Sequence, residues 1–107
     1  MNWTGRREAL RAIIAGPRCI YPASVYDGIS ARIATDLGFQ AMMLAGSVGS
    51  FSVLAAPDLC VLTLSEFAAQ AYRINRAGTL PLCVDADHAG MSAAGGYGCV
   101  FVNECTS

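Results

Sequence analysis

Charge is scarce in this chain. Of its 107 residues only 14% are charged, split between 7 basic and 8 acidic side chains for a formal net charge of -1. Without a basic patch there is nothing to meet a nucleic-acid backbone or an anionic membrane surface, so neither is expected as a partner. There is one histidine, His88, and one tryptophan, Trp3, and neither Trp3 nor the tyrosines show the spacing of a stacking platform. The five cysteines, Cys19, Cys60, Cys83, Cys99 and Cys105, are odd in number and lack any CxxC spacing. They follow no secretory leader pattern at the start, which points to a reducing cytoplasm. Cys60 and Cys83 read as small apolar core residues rather than metal ligands.

Long apolar runs are also missing. Between Asp36 and Asp58 no charged residue occurs, yet GFQAMMLAGSVGSFSVLAAP is broken by three glycines, three serines, a glutamine and a terminal proline. A membrane span requires a near-continuous apolar stretch, so a buried strand, a small-residue loop and a short helix are expected instead.

Hydrophobic residues nevertheless make up 54% of the sequence, so much of the surface has to be covered. The length suits one small domain or a piece of a larger one. TGRREALRAIIAGP offers Thr4 as an N-cap, Leu10, Ile13 and Ile14 on one face, and Gly16-Pro17 as a stop, which predicts a leading helix. CIYPASVYD is extended in character, and Pro22 restricts it to a short strand. Asp27 is placed to cap a second helix, GISARIATDL, with Ile29, Ile33 and Leu37 recurring four residues apart and Gly38 ending it in the left-handed conformation.

FQAMMLA is apolar without alternation, as in a strand buried on both faces, with Met42 and Met43 as core filling. After the loop GSVGS, the segment TLSEFAAQAYRINRAG carries a capping box of Thr63 and Glu66 and ends at Gly78. Its apolar stripe is Leu64, Phe67, Ala68, Ala71 and Ile74. A third short strand, LPLCV, closes on Asp85.

Helices alternating with strands require parallel pairing through right-handed crossovers, in an open doubly wound sheet or part of a (β/α)8 barrel. In either architecture polar chemistry collects at the carboxyl ends of strands, which is where Gly46-Ser47 and Asp85 fall. In VDADH, Asp85 and Asp87 suit a hard divalent cation, one directly and one through water, or are ordinary solvated loop acids. His88 is a weaker candidate. GSVGS can present backbone N–H groups and the Ser47 hydroxyl to an anion, or can simply make a tight turn. It matches no dinucleotide fingerprint and lacks the P-loop lysine. Asp58, after Pro57, reads unaided as a loop acid.

SVYDGISARIATDLGF, LAGSVGS, AAPDLCVLTLSEF and LPLCVDADH, in this order and spacing, resemble the amino-terminal part of the isocitrate lyase/phosphoenolpyruvate mutase superfamily, from about Leu10 to His88. Within it the likeness is closest to the oxaloacetate decarboxylase branch. The resemblance implies an α/β fold, the N-terminal portion of a (β/α)8 TIM-type barrel with about three strands and a leading helix. It implies Mg²⁺, or alternatively Mn²⁺, holding an α-keto acid at the carboxyl face, and decarboxylation of oxaloacetate to pyruvate and CO2 through a metal-stabilised enolate. By the same likeness Asp85 is the metal ligand, Asp87 a water-mediated partner and Asp58 a lesser member of the metal shell. Gly46, Ser47 and the N–H of Val48 then hold substrate. No catalytic acid or base is assigned, because the arginine and histidine that serve this branch lie downstream of the matching motifs.

Past His88 the likeness stops. Relatives run from DADH into Gly-Tyr-Gly and an asparagine, whereas here AGMSAAG intervenes before Gly96-Tyr97-Gly98 and CVFVNECTS has no counterpart. Residues 1–88 are therefore expected to be the amino-terminal part of a barrel, and 89–107 a divergent, irregular tail. A complete barrel takes about 250 residues, so a truncated or frame-shifted product with impaired activity is expected. The alternatives are a non-catalytic fragment, associating through exposed strand edges, and another carbon–carbon lyase of methylisocitrate lyase or phosphonopyruvate type. The family likeness also suggests a homo-oligomer.

Overall fold

The computed structural model describes residues 3–57, 62–85 and 99–100. Eight elements follow in the order α1 (Thr4–Ala15), β1 (Ala23–Ser24), α2 (Gly28–Asp36), β2 (Met42–Leu44), α3 (Gly46–Leu54), α4 (Leu64–Ala77), β3 (Leu82–Asp85) and β4 (Cys99–Val100). The strands form one sheet in the order β1-β2-β3-β4. The first three are parallel, as the alternation of helices and strands requires, and β4 adds an antiparallel edge beside β3 within the stretch expected to be irregular.

Capping chemistry sets the ends of two helices. Asp27 accepts the N–H of Ser30 at 2.8 Å, and Ser30 Oγ accepts the N–H of Asp27 at 3.1 Å, a reciprocal box that opens α2. The same device opens α4: Thr63 Oγ1 accepts the N–H of Glu66, and Glu66 Oε2 accepts the N–H of Thr63. Gly38 follows α2 with φ of +84°, a conformation open to glycine and costly for a residue with a Cβ. Helix α1 departs from expectation. Trp3, not Thr4, holds its N-cap position, and no side chain caps it.

Leu82 and Val84 of β3, Met42 and Leu44 of β2, and Val25 after β1 turn one face of the sheet onto the helices. Phe67, Ala71 and Ile74 of α4 and Ala31 and Ala34 of α2 meet them there. Two expected stripes are corrected. In α2, Ile29 and Leu37 are each 71% exposed and Ile33 is 53% exposed, while the alanines face inward. A Cβ built on Gly78 would lie 3.3 Å from Ala31 Cβ, so chain approaches too closely here for a larger side chain. In α4, Ala68 is exposed rather than in the stripe. Ile14 of α1 likewise faces away from the core.

The strand β2 is not equally buried on both faces. Met43 is half-buried, as are Cys83 and Asp85 on β3, so the second face of the sheet is only partly covered. Among the described residues, no helix is long and apolar enough to cross a membrane.

Candidate active site

The register of the sheet builds a row at its carboxyl end. Ser24 pairs with Met43, Met43 with Cys83 and Leu44 with Val84. Continued by one residue, this register would set Ala45 level with Asp85, and the ladder bond from Val25 N–H to the Met43 carbonyl extends the pairing of the first two strands toward Tyr26. Side chains alternate along a strand. With Leu82 and Val84 on the helix side, Cys83 and Asp85 take the opposite, half-covered face.

GSVGS is a helix and not a loop. It forms the first turns of α3, which starts directly after β2. Small residues favour this placement through packing rather than propensity: Gly46, Gly49 and Ser50 are buried, and a Cβ at Gly49 would come within 2.9 Å of Phe67 Cε2. Ala45 supplies no capping side chain, and the first helical bond runs from Gly49 N–H to the Ala45 carbonyl at 2.9 Å. The N–H groups of Gly46, Ser47 and Val48 therefore lack carbonyl partners within the helix, and the positive end of its dipole opens at the carboxyl edge of the sheet. Ser47 is exposed in this first turn and Val48 half-buried.

A cavity of about 580 Å³ adjoins this turn, with Tyr26, Asp27, Ser47, Val48, Phe51 and Gln70 in its wall. Sequence reasoning missed Tyr26, Phe51 and Gln70, because α4 brings Gln70 across from a distant part of the chain. The signal for Tyr26 was its place between a strand and a capping aspartate. Gln70 is buried, donates from Nε2 to the Tyr26 carbonyl, and accepts at Oε1 from Arg73 Nη2 at 2.6 Å.

Of the proposed metal ligands, Asp85 alone falls among the described residues. Asp85 ends β3 in the carboxyl-end row, half-buried, and Asp58, Asp87 and His88 lie outside the described residues, as does Cys60. No group of three or more His, Cys, Asp or Glu side chains converges among the described residues. A single carboxylate is nevertheless compatible with Mg²⁺, which commonly takes one or two protein carboxylates and completes its octahedron with water and substrate oxygens.

Comparison with known proteins gives a consistent answer. No family model matches the chain. Oxaloacetate decarboxylase of Rhodopseudomonas palustris (strain BisB18) is 57% identical over 88 residues, 82% of this chain and 31% of that protein. Oxaloacetate decarboxylase of Bradyrhizobium sp. (strain BTAi1 / ATCC BAA-1182) is 56% identical over the same shares. Among solved structures, oxaloacetate acetylhydrolase superposes with a TM-score of 0.71 at 30% identity, covering 84% of this chain and 33% of that one. 2,3-Dimethylmalate lyase, a PEP mutase/isocitrate lyase superfamily member, gives 0.64 at 36% identity, covering 80% and 30%. The chain thus spans about a third of the length of the proteins it matches. Sequence and backbone together place it in the isocitrate lyase/phosphoenolpyruvate mutase superfamily, as a match to the amino-terminal portion of its barrels.

Proposed function

We propose that this chain carries the metal- and carboxylate-binding corner of a carbon–carbon lyase acting on an α-keto acid, with oxaloacetate decarboxylation to pyruvate and CO2 as the reaction. The observation that carries this is the placement of Asp85 and the open first turn of α3 at the carboxyl end of the sheet's parallel strands. Oxaloacetate decarboxylase is the name of relatives more than half identical over 88 residues. Methylisocitrate lyase or phosphonopyruvate chemistry is the alternative within the same superfamily.

The chemistry of the site follows from its charges. Among the described residues no arginine or lysine is in the cavity wall, so the donors a dianionic substrate meets there are neutral groups and a helix dipole, beside the Asp27 carboxylate. A bound Mg²⁺, or Mn²⁺ in its place, would supply the missing positive charge and polarise the keto oxygen. Asp85 would hold that ion, with Asp87 and Asp58 as the further candidates. Ser47 Oγ and the N–H groups of Ser47 and Val48 would orient a substrate carboxylate, with Gly46 allowing the backbone to approach. Positioning of this kind is a large part of what an enzyme contributes to rate.

We further read the chain as cytoplasmic and self-associating through its exposed strand edge, without nucleic-acid or membrane partners. Among the described residues β1 has a neighbour on one side only. An unpaired edge beside exposed Ile29, Ile33 and Leu37 favours association, which light scattering after size exclusion would detect.

The direct test is calorimetric titration of oxalate, a keto-acid mimic, into the chain with MgCl2, beside an assay for pyruvate from oxaloacetate. Binding that requires Mg²⁺ and falls at least tenfold in Asp85→Asn supports the proposal, on the strength of a hard cation's need for carboxylate. Equal binding by the variant, or none by the wild type, overturns it.

A further inference from the structure

Five polar side chains in the cavity wall, Tyr26, Asp27, Ser47, Ser52 and Gln70, compete for the role of ligand donor, and their existing bonds separate them. Ser52 Oγ donates to the Gly49 carbonyl at 3.4 Å. The Asp27 carboxylate already accepts from the N–H of Ser30 at 2.8 Å and from Ser30 Oγ at 2.9 Å. The Gln70 amide is engaged at both ends, by the Tyr26 carbonyl and by Arg73. Among the described residues, the Ser47 hydroxyl and the Tyr26 phenol have no partner. Both residues line the same cavity.

The Tyr26 backbone is held from several directions while its side chain is left free. Its N–H donates to Ser30 Oγ at 2.9 Å, its carbonyl accepts from buried Gln70, and the next residue caps α2. Its side chain remains half exposed. A rigid backbone under an unpaired phenol is the arrangement of a residue that positions a ligand, since little ordering entropy is lost when the hydroxyl finds its acceptor. Tyr26 also lies two residues past the end of β1, on the same carboxyl-end side of the strands as Asp85.

We infer that Tyr26 is a substrate-contacting residue, its phenol donating, together with Ser47 Oγ, to a carboxylate of the bound α-keto acid. The inference rests on the function proposed above and adds a residue that neither motif nor resemblance supplied. No proton is transferred in this role. The phenol is a neutral donor that recognises an anion without repelling the cation held by Asp85.

Oxalate titrated in MgCl2 into the full 107-residue chain tests this, with Tyr26→Phe, Ser47→Ala and, as a control at an exposed tyrosine outside the cavity wall, Tyr21→Phe. Phe keeps the ring and the backbone bond to Gln70, so only the hydroxyl is lost. The expected result is affinity about tenfold weaker in Tyr26→Phe, in keeping with a hydrogen bond to a charged group, with an unchanged urea midpoint and an unaffected Tyr21→Phe. Wild-type affinity in Tyr26→Phe while Ser47→Ala is weakened would remove Tyr26 from the site and leave the parent proposal standing. A loss of affinity that tracks a lowered urea midpoint would assign Tyr26 to packing and overturn the inference. Failure of the wild type to bind oxalate with Mg²⁺ would overturn both.

Discussion

The two ends of the sheet treat polar groups in opposite ways. At the amino end, Arg6 of α1 reaches across to the end of α4, where its Nη1 donates to the Asn75 carbonyl at 2.8 Å and its Nη2 to the Gly78 carbonyl. Its guanidinium also lies over the Trp3 ring, 4.6 Å from the centroid. Burial pushes the Arg6 pKa down from its usual value, yet a guanidinium stays charged at any ordinary pH, so these bonds remain charge-assisted. Carbonyls that would otherwise be orphaned at the helix end are satisfied. At the carboxyl end the N–H groups of Gly46, Ser47 and Val48, the Ser47 hydroxyl and the Tyr26 phenol are left without partners among the described residues. One end of the strands secures the fold, and the other holds binding groups in reserve. This is the division expected of barrel strands, whose carboxyl ends carry the chemistry.

Substitutions can break this contrast in graded steps. The largest effect is expected from Met42→Ala, which empties a fully buried position between the helix layer and Gly78. A loss of about 2–5 kcal/mol in urea-unfolding free energy is expected, with oxalate affinity unchanged in the fraction that remains folded. Gly49→Ala comes next and tests whether the two ends communicate. Its Cβ would press on the Phe67 ring at 2.9 Å, at a cost of about 1–3 kcal/mol, and would tilt α3 enough to weaken binding at Ser47. Stability lost without any change in oxalate affinity would show that α3 is held by something other than this contact. The smallest is Asp27→Ala, which removes the cap of α2 and should lower stability by about 1 kcal/mol. Because Asp27 is already bonded to Ser30, oxalate affinity should hold. A marked drop in calorimetry would make Asp27 a ligand group instead of a cap.

Local chemistry was readable where a residue's role depends on its near neighbours. Asp27 and Thr63 announce their helices because a capping bond spans only three residues, and Gly38 announces its end because only a residue without a Cβ adopts its φ cheaply. The faces of α2 were misread for the opposite reason. A four-residue recurrence of Ile29, Ile33 and Leu37 identifies a helix and a common face, but not what that face meets. Close contact near Gly78 selected the alanines for the interior. GSVGS was misread because its residues have weak helix propensity, and packing of Gly49 against Phe67 overrides it. For the site, Ser47 and Asp85 were visible as strand-end residues of the right chemical type. Tyr26 and Gln70 were not, since their link joins residues 44 apart in the chain.

Order, caps and strand ends were thus written locally, in hydrogen bonds and backbone preferences that act over a few residues. The order of elements in turn dictated parallel pairing of the first three strands and the carboxyl-end position of Asp85. Long-range packing settled the rest. It chose which side of α2 is buried, wound GSVGS into the first turns of α3, and set Tyr26, Ser47 and Asp85 at one end of the sheet. Those outcomes depend on how closely two surfaces approach, and that distance is a property of the assembled core, not of any segment within it.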